Sequence, residues 1–181
     1  MAPMAEIALH DARAAAQHDQ DVLRVWNEAF GVVDDAGAWH ESIWERHRAR
    51  ADYRLATAHD DGQLVGFSWG YTGERGQFWP DFVLDRLGEA VADWIGGHFE
   101  FVELAVLPSH QGRHIGGRLH DTLPSGLPHQ RALLGTADEP SSPAVRLYLS
   151  RGWRRVGKQS PADQVMGKLL RSDGASATAT V

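Results

Sequence analysis

Three stretches hold the groups from which chemistry can be built. Residues 98–123, HFEFVELAVLPSHQGRHIGGRLHDTL, run from an apolar stretch ended by Pro108 into a glycine-bearing turn and the opening of a helix. N–H groups at a helix start have no partner inside the helix, and the aligned peptide dipoles place roughly half a positive charge there. A phosphate or pyrophosphate fits such a turn, and Gly112, Gly116 and Gly117 let it approach the main chain. Glycines that only relieve crowding between a strand and a helix give the same pattern, so this stretch alone leaves both readings open. Glu100 and Glu103 precede the turn. Their odd spacing puts them on opposite faces of a regular strand, and a bulge would change that facing. Tyr148, within SSPAVRLYLSRGWRRVG at 141–157, adds a phenol.

These groups need a scaffold, and the apolar periodicity outlines one. Residues 5–12 read as a short strand with Ile7 and Leu9 alternating. Val22, Val25, Trp26, Ala29 and Phe30 recur at helical spacing, and a second helix covers 39–50. Strands at 53–59 and 63–71 flank Asp60-Asp61-Gly62, the signature of a hairpin. A Gly-rich loop at 72–81 then leads to a helix expected over 82–95, a strand at 98–108 and a helix after the turn. Beyond it come a strand at 131–136, a helix at 143–151 opened by Pro143, and strands at 153–157 and 165–170. The tail SDGASATATV has little to bury and reads as disordered, which leaves residues 1–171 as one domain and 172–181 as a tail.

Gln111-Gly112-Arg113-His114-Ile115-Gly116 matches a (Gln/Arg)-x-x-Gly-x-(Gly/Ala) loop, with His114 where the first glycine is usual. Ala144, Leu147, Tyr148, Gly152 and Trp153 match Ala-x-x-Leu-Tyr-x-x-x-Gly-(Phe/Trp), while Ser141 replaces a frequent asparagine. On these two segments the chain resembles the GNAT superfamily of acetyl-CoA-dependent N-acetyltransferases. The resemblance implies an α/β (α+β) fold in a single domain: a mixed, mostly antiparallel central sheet flanked by helices and splayed near the strand 98–108. It implies acetyl-CoA as co-substrate. Main-chain groups of Leu104, Ala105 and Val106 would hold the acetyl and pantetheine portion, and the turn from Gln111 through Gly112, Arg113, His114, Ile115 and Gly116 to Gly117 would hold the phosphates, with Arg118 and Ser141 nearby. For Arg113 and Arg118 a solvated surface role is an equal alternative.

The same resemblance assigns catalytic parts. A lysine-like amine, with a pKa of about 10.4, must lose a proton before it attacks, at about 4.6 kcal/mol near pH 7. Glu100 aligns with a general base kept by some members, and Glu103, nearer the thioester, is preferred; either can instead serve as a plain ion-pair partner. Tyr148 would stand near the sulfur, the alternative being a buried aromatic that packs against Trp153. A phenol of pKa about 10 gives its proton uphill to a thiolate whose acid is about 8.5, so a hydrogen bond with late transfer suits it. The expected reaction is direct acetyl transfer to a primary amine of a small molecule, with peptide or protein amines the next class. Trp26, Phe30, Trp39, Trp44, Trp69, Tyr71, Phe78 and Trp79 come from the segments that would surround the acceptor, although most of them read as core. A non-catalytic acetyl-CoA sensor of the same fold, or an interaction protein using its aromatic surface, are the rival classes.

Composition sets the limits. The chain has 181 residues, 43% of them hydrophobic, enough for one core. There are 18 Lys and Arg against 24 Asp and Glu, a formal net charge of −6, which argues against a general nucleic-acid binder and mildly favours cationic acceptors. ERHRARADYR at 45–54 is locally basic and reads as a solvated helix face. No cysteine is present, so thiol nucleophiles and Cys-type metal sites are excluded, and the ten histidines show no ligand spacing; no metal is expected. No apolar run reaches the ~18 residues needed to span a bilayer, and Glu6, His10, Asp11 and Arg13 interrupt the N-terminus, so neither a membrane nor a signal peptide is expected and the reading is cytoplasmic. A homodimer is compatible with the sequence.

Overall fold

The computed structural model describes residues 4–170. The expected disordered tail, 172–181, lies outside them. Seven strands form a mixed, mostly antiparallel sheet with helical segments in the connections, in the order β1 (Glu6–Asp11), β2 (Arg54–Asp60), β3 (Gln63–Gly73), β4 (His98–Val106), β5 (Arg131–Ala137), β7 (Asp163–Leu169), β6 (Arg154–Lys158). Among the described residues no helix is long and apolar enough to cross a membrane. Contacts divide the described residues into two compact units, 4–72 with Glu100–Ser125, and Gly73–Phe99 with 126–170.

In the first unit, β1 ends where the Asp11 carboxylate accepts from the Ala14 N–H at 2.8 Å and starts a helical turn. The helix Asp19–Phe30 follows, with Asp19 and Asp21 in its first turn, where the helix dipole favours acids, and with Val22 and Val25 buried. Asp35 caps a further helical segment through the Ala38 N–H at 2.9 Å, which is why it begins at Ala36 and not at Trp39 as the apolar spacing suggested. That segment widens into a π-helix over His40–Glu45 before its last turn, Arg46–Arg48. β2 and β3 pair antiparallel around Asp61 and Gly62, whose φ values of 49° and 78° fit the type I′ turn expected of Asp-Gly.

In the second unit, Val83, Val91, Ile95, Leu133 and Val165 form a core with Trp79, Phe82, Leu84, Leu87, Trp94 and Val156 against it. The first helix here runs from Phe78 to Leu87, four residues earlier than the apolar spacing predicted. Pro80 lies in its first turn, where a missing N–H loses no hydrogen bond. Gly88, at φ 53° and ψ −129°, breaks it before a short helix Glu89–Ala92, so the expected continuous helix to 95 is two pieces. β7 lies between β5 and β6, antiparallel to both.

Candidate active site

The glycine-bearing turn forms where β4 ends. The Leu107 N–H donates to the Val65 carbonyl at 2.8 Å, and Pro108–His110 makes a 3-10 turn. Gln111 donates its side-chain amide to the Val106 carbonyl at 3.2 Å. Gly112 then adopts φ 76°, and His114 adopts φ 61° and ψ 10° at the start of the helix Ile115–Thr122. His114 therefore takes the left-handed conformation its glycine-like place requires, at about 1 kcal/mol of strain. Buried Ile115, Gly117 and Leu119 anchor the helix. Its first main-chain donor with a partner is Arg118, bonded to the His114 carbonyl at 3.2 Å. The N–H groups of Gly112 through Gly117 donate to no acceptor among the described residues. Six consecutive donors, with open space where a Cβ would stand on Gly112, have the chemistry to receive an anion.

The two expected arginines are held by the protein itself. Arg113 pairs with Asp60 at 2.7 Å, and His110 reaches the same carboxylate at 3.3 Å. Arg118 donates to the Ala5 carbonyl at 2.6 Å, latching the helix to the segment before β1. Both leave a positive charge beside the turn while being tied down.

On β4 the two carboxylates differ. Glu100 is buried and accepts from the Tyr71 hydroxyl at 3.2 Å. Burial pushes its pKa up to about 7, although the Tyr71 hydrogen bond and the positive field of Arg50 pull it down. Glu103 is partly exposed, yet desolvation of its carboxyl pushes it up to about 8. Ala105 is buried and Leu104 and Val106 partly so. The Ala105 carbonyl lies so close to β3 that a Cβ on Gly66 would stand 2.9 Å from it.

Behind Glu100 stands an aromatic wall. The His47 ring lies 5.2 Å from Tyr71 and 6.1 Å from Trp69, and burial together with Arg46 and Arg50 lowers its pKa to about 4, so it is neutral. Trp69 stacks on Phe67 at 5.2 Å and on Trp26 at 5.8 Å, and meets Trp44 edge-on at 5.8 Å. Trp39 and Trp44 stack at 6.0 Å. Trp39, Trp44, Trp69 and Tyr71 are buried, as core residues should be, whereas Phe30 and Phe78 are exposed. The sequence showed Tyr71 and Glu100 singly and missed their pairing. The alternation Phe67, Trp69, Tyr71 on one face of β3 was the available signal for the wall.

In the second unit, Tyr148 is buried on the helix Pro143–Ser150 and meets Trp153 edge-on at 5.9 Å; the Trp153 N–H donates to the Tyr148 carbonyl at 3.1 Å. Ser141 donates its hydroxyl to Glu139 at 2.8 Å and its N–H at 3.1 Å. Trp79 donates its indole N–H to Gln159 at 3.1 Å and belongs to that unit's core.

Residues 20–153 match the family model described as the acetyltransferase (GNAT) family. The chain belongs to this family. A curated relative, the GCN5-like protein acetyltransferase Rv2170 of Mycobacterium tuberculosis, is 35% identical over 101 residues, 51% of this chain and 49% of that protein. The chain thus spans about half the length of that relative. An acetyltransferase from Thermus thermophilus has a similar fold, with TM-score 0.65, 14% identity and coverage of 93% and 98% of the two chains. So does the PaiA N-acetyltransferase of Thermoplasma acidophilum, crystallised with coenzyme A, at TM-score 0.59, 14% identity and coverage of 91% and 99%. Acetyl transfer is the chemistry of the GNAT family, and acetyl-CoA its implied donor.

Proposed function

We propose that this GNAT chain is an N-acetyltransferase that moves the acetyl group of acetyl-CoA directly onto a primary amine of a small molecule. The observation that carries the reading is the run of main-chain donors from Gly112 to Gly117, preceded on β4 by a carboxylate that titrates near neutral pH. The donor supplies an activated thioester; the chain supplies orientation and proton handling. The N–H groups of Gly112–Gly117 hold the diphosphate, and main-chain groups of Leu104–Val106 take the pantetheine and acetyl portion.

We assign the base to Glu100 rather than to Glu103, which nearness to the thioester favoured. With a pKa of about 7, Glu100 is half ionised at neutral pH, and the Tyr71 hydroxyl fixes its orientation. Glu103, pushed up to about 8, is mostly protonated there and suits donating a hydrogen bond. As the amine nitrogen bonds to the thioester carbon and the carbon–sulfur bond breaks, Glu100 receives the amine proton. Tyr148, by its place in the Leu-Tyr segment, hydrogen-bonds the departing thiolate and yields its proton late.

The test is Tyr148→Phe. Turnover should fall at least about tenfold with acetyl-CoA affinity by calorimetry unchanged; full turnover removes Tyr148 from the mechanism, and an unmodified protein that ignores acetyl-CoA removes the assignment. A protein amine is the second acceptor class, favoured by the description of the mycobacterial relative.

A further inference from the structure

We propose that the small-molecule acceptor carries an anionic group, a carboxylate or a phosphate, beside its amine, and that Arg46 and Arg50 hold that group next to Glu100. The inference rests on the small-molecule reading above and narrows it to a substrate class.

Four arginines stand at 46, 48, 50 and 54 in the basic stretch, and the structure separates them into two kinds. Arg48 grips both oxygens of Glu45, at 2.9 and 2.8 Å, and also donates to the Ala12 carbonyl. Arg54 donates to the carbonyls of Leu123 and Ser125 at 3.0 and 2.6 Å. Those two are structural. Arg46 and Arg50 have no ion-pair or side-chain hydrogen-bond partner among the described residues; the Nε of Arg50 is buried without an acceptor, as is that of Arg48. A chain with 24 acidic residues has many ways to neutralise two guanidinium groups, and here neither is paired.

Their position explains why that matters. Both flank His47: Arg46 precedes it, and the Arg50 N–H donates to the His47 carbonyl at 3.0 Å. The His47 ring is 5.2 Å from Tyr71, whose hydroxyl is 3.2 Å from Glu100. Both arginines act electrostatically on Tyr71, and Arg50 acts on Glu100 as well. The fork of a guanidinium matches a carboxylate or phosphate in a two-bond geometry. A ligand with its amine at Glu100 and an anion at the arginines would meet complementary charge at both ends, while a purely cationic amine would meet two unpaired positive groups. The mild preference for cationic acceptors expected from net charge is reversed locally.

The experiment measures kcat/KM by thiol release from acetyl-CoA for matched amines: tyrosine against tyramine, arginine against agmatine, and phosphoethanolamine against ethanolamine. The member with the anion should be favoured about tenfold or more in at least one pair. In Arg46→Ala, a change at an exposed position, and in Arg50→Lys, which keeps the charge and loses the fork, that ratio should fall toward one, mainly through KM. Preference for the decarboxylated or dephosphorylated members, or an unchanged ratio in both variants, overturns the inference while leaving the small-molecule reading intact. Transfer confined to lysine-containing peptides, or no transfer to any amine by protein that binds acetyl-CoA, overturns both.

Discussion

At the level of single residues, Glu100 and Tyr71 form the pair on which proton handling depends. The Tyr71 hydroxyl stabilises the charged carboxylate, so Tyr71→Phe should raise the Glu100 pKa above about 7. In a pH profile of kcat/KM, the acid limb, where rate rises as the base ionises, then moves to higher pH by up to about one unit. An acid limb that stays in place, or moves down, would remove Glu100 as the base. Neither partner announced the pairing in the sequence, because strand parity told only that Glu100 and Glu103 face apart, not which face meets β3. His114 was different. Its place in the glycine pattern asked for a special turn conformation from a residue with a side chain, and the structure has it left-handed at φ 61°.

The elements were mostly legible because their signals are local. Alternating apolar residues, the Asp-Gly turn and Pro143 located strands, hairpin and helix as found. The helix starting at Phe78 begins inside the stretch that reads as a Gly-rich loop, with Pro80 in its first turn, where proline is tolerated. The π-helical stretch His40–Glu45 leaves no mark in apolar spacing. The closeness of β3 to β4 was also hidden, as it depends on what lies across from Gly66. A Cβ there would stand 2.9 Å from the Ala105 carbonyl and 3.1 Å from Leu119. Main chain cannot swing aside like a side-chain tip, so Gly66→Ala should destabilise the protein by about 1–3 kcal/mol. Thermal melting checks this, and an unchanged midpoint would show that the two strands yield easily.

For the molecule as a whole, the buried carboxylate links activity to stability. A pKa raised from 4.5 to about 7 means the folded protein holds the Glu100 proton more tightly than the unfolded chain does. That stability is fully present below about pH 4.5 and is lost as pH rises through about 7, to a total of about 3 kcal/mol. Glu100→Gln carries no charge at any pH, so its melting temperature relative to the parent should climb between pH 5 and pH 8; a constant difference would contradict the buried-charge account. Which acceptor groups surround this carboxylate was beyond sequence reading, because unpaired Arg46 and Arg50 look like any solvated basic face until their neighbours are known. The stacked indoles of Trp39 and Trp44 have a consequence of another sort. They meet only through the widened turns between them, so the five-residue interval is a counted length. A descendant of this chain that gained one residue there would rotate one indole by about 100° and leave Trp69 without its edge-on neighbour. Insertions tolerated over generations therefore belong before Asp35 and after Arg50, and not between.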